Sequence, residues 1–246
     1  MLEEAYYVGS YWGVRQEAAD ECARRADLFF RLLMRCDASL GQWYRSGKVP
    51  RGSPGHPVRT DHLEELKEQL LRGRNRTDLN KRVIEELGFS LSVWNQQPDG
   101  TATTVRIHCG GYSEWVSNSC LLNPPSKGEA AERMLSLPTL IQVLTCMVTA
   151  WDPDWGVVNS NRSALELAPD APQTDSVVGW VTYFALRRGP VPPLPAPVRI
   201  EPVGSLGMLV VLTPERFTAS NPEHMALGRR VRELLSRAGL LRAATS

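Results

Sequence analysis

Residues 89–107 read FSLSVWNQQPDGTATTVRI, and this stretch decides the fold class. From Phe89 to Val93 every second residue is apolar and the residues between are serines, and a similar alternation returns from Thr103 to Ile107. Such alternation indicates a strand with one buried face. The intervening Pro98-Asp99-Gly100 is typical of a hairpin turn. We therefore predict an antiparallel strand pair.

The rest of the chain adds helices and further strands around this hairpin. Residues 17–36 carry an apolar stripe at helical spacing, which includes Phe29, Phe30 and Leu33. Residues 175–187 favour a helix weakly, since several β-branched residues leave a strand as an alternative. The remaining predicted helices are 61–71, 78–87, 129–151 and 222 to about 238, and Pro138 should either kink the third of these or start a new helix there. The remaining predicted strands are 6–11, 119–122, 198–203 and 209–212.

Helices and antiparallel strands mix in this order without a strict β-α-β alternation. We therefore predict an α+β fold, in which a mainly antiparallel sheet is packed by several helices. The chain has 246 residues, of which 42% are hydrophobic. This is enough for one sizeable core, so a single domain over residues 1–246 is expected.

Composition excludes several classes of protein. The formal net charge is +1, so no overall field attracts nucleic acid or anionic membranes. The start of the chain is acidic, and no apolar run is long enough for a signal peptide or a membrane span, so we expect a cytoplasmic protein that does not contact membranes. The five cysteines are odd in number and lack a Cys-x-x-Cys pair, so free thiols are expected.

Several of the seven tryptophans lie beside Gly, Pro or acidic residues in predicted turns. A tryptophan in a turn can present a large rigid surface to a partner, as binding hot spots do. Two such turns also carry acidic residues, and together they supply six candidate contact residues: Tyr112, Glu114, Trp115, Asp152, Asp154 and Trp155. For any one of the tryptophans, burial in the core is favoured over contact with a partner.

No catalytic motif, cofactor loop or metal-ligand spacing is present in the sequence. His108 and Cys109 adjoin, but neighbours on a strand point to opposite faces and cannot form a dyad. An enzyme would need His108, Cys109 and Glu114 to face one cavity. Asp152 and Asp154 fit a solvated turn better than a cation site, because Trp155 and Gly156 interrupt the series of oxygen ligands.

The densest basic segment spans residues 72–82, with four arginines and one lysine among them. Phosphate contact by this segment would make the chain a nucleic-acid-binding module. Acidic residues flank it on both sides, however, so local ion pairing on a solvated surface is the favoured interpretation.

Five segments, taken in order, resemble the Immunity protein 52 family over nearly the whole chain. They are residues 7–15 (YVGSYWGVR), 73–78 (GRNRTD), 150–155 (AWDPDW), 179–183 (GWVTY) and 214–218 (PERFT). Members of that family are regarded as immunity proteins of bacterial polymorphic toxin systems, encoded beside toxins with a restriction-endonuclease-like nuclease domain.

The resemblance implies a stoichiometric inhibitor of a cognate nuclease toxin and not an enzyme. It implies no catalytic residue, cofactor or metal, and no direct contact with nucleic acid. A nuclease surface that binds DNA should be basic, so acidic and aromatic turns would complement it. The six candidate contact residues named above are therefore the predicted toxin-binding residues.

Overall fold

The computed structural model describes residues 4–46, 55–168 and 176–242. In that part of the chain the helices are α1 (Ala19–Leu33), α2 (Leu63–Arg72), α3 (Glu129–Met134), α4 (Leu137–Trp151), α5 (Asn161–Leu167) and α6 (Pro222–Arg237). The strands are β1 (Tyr6–Trp12), β2 (Trp43–Arg45), β3 (Pro57–Val58), β4 (Phe89–Trp94), β5 (Thr104–Cys109), β6 (Asn118–Asn123), β7 (Trp155–Ser160), β8 (Val181–Ala185), β9 (Arg199–Val203) and β10 (Gly207–Val211).

The strands pair antiparallel and helices pack on them, so the predicted α+β fold is confirmed. The chain forms two compact units. The central unit comprises residues 12–134, and the terminal unit comprises residues 4–11 together with those from 135 onward. That residues 1–246 behave as a single domain stays a prediction.

The central unit carries the hairpin that the sequence indicates. Its strands run in the order β3-β2-β4-β5-β6, with neighbours antiparallel. Leu91 lies opposite Ile107 and Val93 opposite Val105, and all four side chains are buried. Helix α1 packs on α2, and α2 packs on β4. The apolar stripe of α1 is buried as predicted, because it is the face that the helix turns toward this core.

The terminal unit has the strand order β1-β7-β8-β10-β9, again antiparallel throughout. Helix α4 packs on β7, and α5 packs on both β7 and α6. Pro138 starts a new helix, which is one of the two outcomes predicted for it. It lies in the first turn of α4, where its missing N–H is not needed, and Ser136 caps that turn by accepting a hydrogen bond from Thr139 N.

The helix predicted at residues 78–87 is wrong. Arg76 and Val83 form an isolated antiparallel bridge, and a turn connects them, followed by a short 3-10 helix at Glu85–Leu87. Thr77 Oγ1 accepts a hydrogen bond from Arg82 N, which offers the backbone an alternative to helix bonds. Lys81 has a φ of 56°, in the left-handed region that a helix excludes.

The helix predicted at residues 175–187 is also wrong in the part of it that the structure describes, 176–187; Asp175 lies outside the described residues. The strand alternative is correct, because Val181–Ala185 forms β8 between β7 and β10. All five residues of β8 are buried, and their β-branched and aromatic side chains pack well on a two-sided sheet.

None of the five cysteines, all of which lie in the described residues, forms a disulfide bond, as the sequence predicts. Four are buried and Cys36 is partly exposed. In the central unit, a hydrogen bond with Cys22 and burial raise the pKa of the Cys109 thiol well above its ordinary value. A neutral buried thiol of this kind acts as a small apolar side chain.

Candidate functional site

The most exposed aromatic residue of the predicted site lies in the loop between β5 and β6, residues 110–117, called the Trp115 loop below. Trp115 is 90% exposed. Glu114 beside it is exposed as well, whereas Tyr112 is half-buried. The structure therefore brings these three residues together on one loop of the central unit.

The base of the Trp115 loop is held in place by hydrogen bonds. The buried Asn118 side chain accepts from Gly111 N at 2.8 Å and donates to Gly111 O at 3.0 Å and to Gly13 O at 2.8 Å. Tyr112 N and Ser113 N both donate to Glu86 O, at 2.9 and 3.0 Å. These bonds fix the backbone at the base of the loop from which Trp115 projects.

Tyr112 borders a pocket of about 170 Å³ in the central unit. Within it Glu17 is largely buried, and its Oε1 accepts a hydrogen bond from Arg25 Nε at 2.8 Å. Two glycines of the pocket lining have a positive φ, 61° at Gly88 and 69° at Gly110, and this conformation favours glycine over other residues. The pocket is lined by Gln16, Glu17, Arg74, Glu85, Gly88, Phe89, Gly110 and Tyr112.

The acidic turn of the terminal unit follows helix α4. Asp152 has a φ of 44° and ends the helix in the left-handed conformation. Arg187 then joins both acids: its Nε donates to Asp154 Oδ1 at 2.7 Å, and its other nitrogens donate to Asp152 Oδ1 and Asp152 O, each at 2.9 Å. The Asp154 side chain is only 16% exposed. One of the two negative charges of this turn is therefore offset by a neighbouring cation.

Trp155 is buried, which is the outcome favoured for any one tryptophan, but it lies in a strand and not in the predicted turn. It is the first residue of β7 and is 7% exposed. Its ring stacks on Tyr11, opposite it on β1, with ring centroids 4.3 Å apart and an angle of 17° between the planes. Cross-strand aromatic stacking of this kind stabilises the sheet and leaves little surface for a partner.

The paired acids of the turn and Arg187 should depend on one another energetically. We expect Asp154→Asn to lower the free energy of unfolding by about 1 kcal/mol, since a charge-assisted hydrogen bond is replaced at a partly exposed site. Urea unfolding of Asp154→Asn, Arg187→Gln and the double variant measures this coupling. If the losses of unfolding free energy in the two single variants add up to that of the double variant, the ion pair is contradicted. The toxin affinity of Asp154→Asn tests the predicted toxin contact separately.

The residues of the alternative enzyme hypothesis do not converge. His108 is half-buried and its Nδ1 lies 3.2 Å from Ser90 Oγ, while Cys109 is buried on the opposite face of β5. Burial lowers the pKa of His108. Glu114 stands on the exposed loop, and none of the three lines the pocket beside Tyr112. Within residues 4–46, 55–168 and 176–242, no group of three or more His, Cys, Asp or Glu could hold a metal ion.

The basic segment 72–82 differs from the expected ion-paired surface. Arg72 pairs with Glu68 at 3.3 Å. Arg76, Lys81 and Arg82 are exposed, and none of them has a carboxylate within 4 Å among the described residues. Leu79, between them, is 98% exposed, more than any other large apolar residue in that part of the chain. The exposure of Leu79 was not predicted from the sequence, because the residue lies within the helix predicted at 78–87.

The fold and these surfaces define the class of protein first: an α+β scaffold with an exposed aromatic loop. In the part of the chain that the structure describes, no helix is long and apolar enough to cross a membrane. The sequence profile of the Immunity protein 52 family matches residues 4–244, and the chain belongs to that family. Membership makes it an immunity protein of a toxin system.

A solved structure supports the fold. The Pseudomonas aeruginosa T6SS protein PA0821 superposes with a TM-score of 0.57 at 13% sequence identity, over 98% of this chain and 77% of that one. At this identity the likeness shows the fold alone. No curated protein sequence matches the chain significantly.

Proposed function

We propose that this immunity protein binds and neutralises a cognate nuclease toxin of restriction-endonuclease fold, produced by a bacterial polymorphic toxin system. Family membership supports the toxin as the partner. The observation that carries the choice of surface is Trp115, which is 90% exposed on a loop fixed at its base by Asn118 and Glu86. Binding hot spots are rich in tryptophan held in a defined orientation.

Inhibition by binding requires a stable scaffold and a complementary surface, and no reacting groups. Trp115 supplies the apolar anchor, and the exposed Glu114 beside it supplies a negative charge. A nuclease must carry basic residues where it contacts DNA phosphates, so Glu114 complements such a surface. Tyr112, at the edge of the adjoining pocket, extends the same contact.

The acidic turn of the terminal unit is the second predicted contact, formed by Asp152, Asp154 and Trp155. Arg187 pairs with both acids and offsets one of their two negative charges, and Trp155 has little exposed surface. We therefore expect this turn to contribute less to toxin affinity than the Trp115 loop does. In this proposal the protein acts in the cytoplasm, has no hydrolytic activity of its own and does not bind nucleic acid directly.

Co-expression with the C-terminal domain of the toxin encoded beside this gene tests the proposal. We expect a stable complex and survival of the host, together with loss of DNA cleavage when the purified proteins are mixed in equal amounts. Some nuclease–immunity pairs of other toxin systems are among the tightest complexes known, so titration should end sharply at one equivalent.

Two controls accompany the cleavage assay. An unrelated nuclease should keep its full activity in the presence of the immunity protein, and the immunity protein alone should leave DNA intact. Full toxin activity in the presence of excess immunity protein would refute the proposed function.

A further inference from the structure

Residues 75–84 form a hairpin-like loop, called the Leu79 loop below, and Leu79 stands at its tip. At 98% exposure this leucine makes almost no contact with the protein that carries it. Exposed apolar side chains are ordinary one by one, so exposure alone assigns no role. The loop is also held by its own hydrogen bonds, carries exposed cations and begins beside the Trp115 loop.

The Leu79 loop is ordered by its own hydrogen bonds. Thr77 N donates to Arg82 O at 2.9 Å, Lys81 N donates to Thr77 O at 3.1 Å, and Ile84 N donates to Asn75 O at 2.9 Å. The side chain of Thr77 also accepts from Arg82 N at 3.1 Å. A loop that is ordered before binding loses little conformational entropy when a partner docks, which favours affinity.

The backbone of Lys81 adds to this order. Its φ is 56°, a conformation that lysine rarely adopts, and its carbonyl oxygen accepts a hydrogen bond from Arg76 Nη1 at 3.0 Å. Asparagine takes this conformation more easily than lysine does. The turn conformation alone therefore does not explain a lysine at this position. We infer that the charge of Lys81 serves binding.

The charges of the loop are available to a partner. Lys81 and Arg82 are exposed, and in residues 4–46, 55–168 and 176–242 no carboxylate lies within 4 Å of either cation. The loop thus combines an apolar tip with two cations on one side of it. A protein surface with a shallow apolar depression bordered by carboxylates is the complement of this arrangement.

The Leu79 loop and the Trp115 loop border the same pocket. Arg74 and Glu85, at either end of the Leu79 loop, line it together with Tyr112. Glu86, two residues beyond the loop, also accepts the backbone hydrogen bonds that fix the base of the Trp115 loop. The bases of the two loops therefore lie next to each other in the central unit.

We propose that the Leu79 loop is a second toxin-contacting element beside the Trp115 loop: Leu79 enters an apolar depression of the toxin, and Lys81 and Arg82 pair with carboxylates around it, apart from the basic surface that Glu114 complements. This inference rests on the proposed function, because it takes the cognate toxin as the partner. Nucleic acid is a poorer match. The tip of the loop is an apolar side chain, which finds no partner on a phosphate backbone.

The test uses the full-length protein and the purified C-terminal domain of the toxin encoded beside this gene. Leu79→Ala removes the tip without touching the loop's hydrogen bonds, and we expect toxin affinity to fall at least about tenfold. The matched control is Leu165→Ala, which truncates a leucine of α5 that is 65% exposed. We expect that control to bind as the unaltered protein does.

A second variant tests the charges. Lys81→Asn combined with Arg82→Gln removes both cations, while asparagine keeps the left-handed turn. We expect slower association with the toxin and a weaker dependence of affinity on salt, since charges at an interface mainly steer encounter. Circular dichroism and thermal unfolding should match those of the unaltered protein.

The outcomes separate this inference from the proposed function. If the unaltered protein neutralises the toxin while Leu79→Ala and the double variant bind as tightly as Leu165→Ala, the Leu79 loop is not a contact and only this inference fails. If the unaltered protein does not bind the toxin, both fail. Binding of a DNA duplex by the free protein that depends on Lys81 and Arg82 would also overturn it in favour of a nucleic-acid site.

Discussion

Replacing Trp115 with Ala is expected to weaken toxin binding by about 2 to 4 kcal/mol, which corresponds to about 30- to 700-fold in Kd. The loss arises because the indole is 90% exposed in the free protein and would be buried against the toxin. Folding should not change, because so exposed a side chain contributes little to the core. Calorimetric titration of the toxin domain into each variant measures the affinity.

Trp115→Phe should lie between the unaltered protein and Trp115→Ala, since phenylalanine keeps part of the apolar surface. Leu165→Ala, on an exposed position of the terminal unit, controls for the loss of any exposed apolar side chain. Equal affinity in Trp115→Ala and the unaltered protein, with neutralisation intact, would remove the Trp115 loop from the contact surface while leaving the immunity function in place.

Local periodicity accounts for the elements that the sequence predicted well. The stripe of α1 and the alternation of β4 and β5 each specify one buried face, and the structure buries those faces. The cap at Ser136 and the position of Pro138 likewise depend on residues within one helical turn. Such signals are local, so a single sequence carries them in full.

The elements that the sequence missed depend on distant partners. Strand β7 is buried at every position between β1 and β8, so it has no alternation to reveal it. Strand β8 showed its β-branched composition but no exposed face, and only its pairing with β7 and β10 decides between helix and strand. Short two-sided strands of this kind are ambiguous in sequence.

The difference between local signals and distant partners also explains which parts of the candidate site were predicted correctly. Trp115 was correctly expected on the surface, because the glycines and polar residues around it mark a turn. The acids at 152 and 154 looked available, but Arg187, which pairs with both, lies 35 and 33 residues further along the chain. Leu79 escaped notice because the acidic and basic residues near it suggested a helix surface, and the fold of that loop depends on Thr77 and Lys81.

Replacing Phe30 with Ala is expected to lower the free energy of unfolding by about 3 to 5 kcal/mol. Phe30 is 2% exposed, and its ring lies 5.3 Å from that of Phe29 and 5.6 Å from that of Trp43, measured between centroids. Truncation removes the apolar surface that these rings bury and leaves a cavity in the core of the central unit. Urea unfolding followed by tryptophan fluorescence measures the change.

Met34→Ala is the matched control for Phe30→Ala, because Met34 follows α1 directly and is 54% exposed. It should change stability by no more than about 0.5 kcal/mol, as surface substitutions usually do. Because small domains are stabilised by only about 5 to 15 kcal/mol, Phe30→Leu provides a milder variant should Phe30→Ala not fold. A loss below about 1 kcal/mol in Phe30→Ala would show that this face of α1 is not the core contact that fixes the helix.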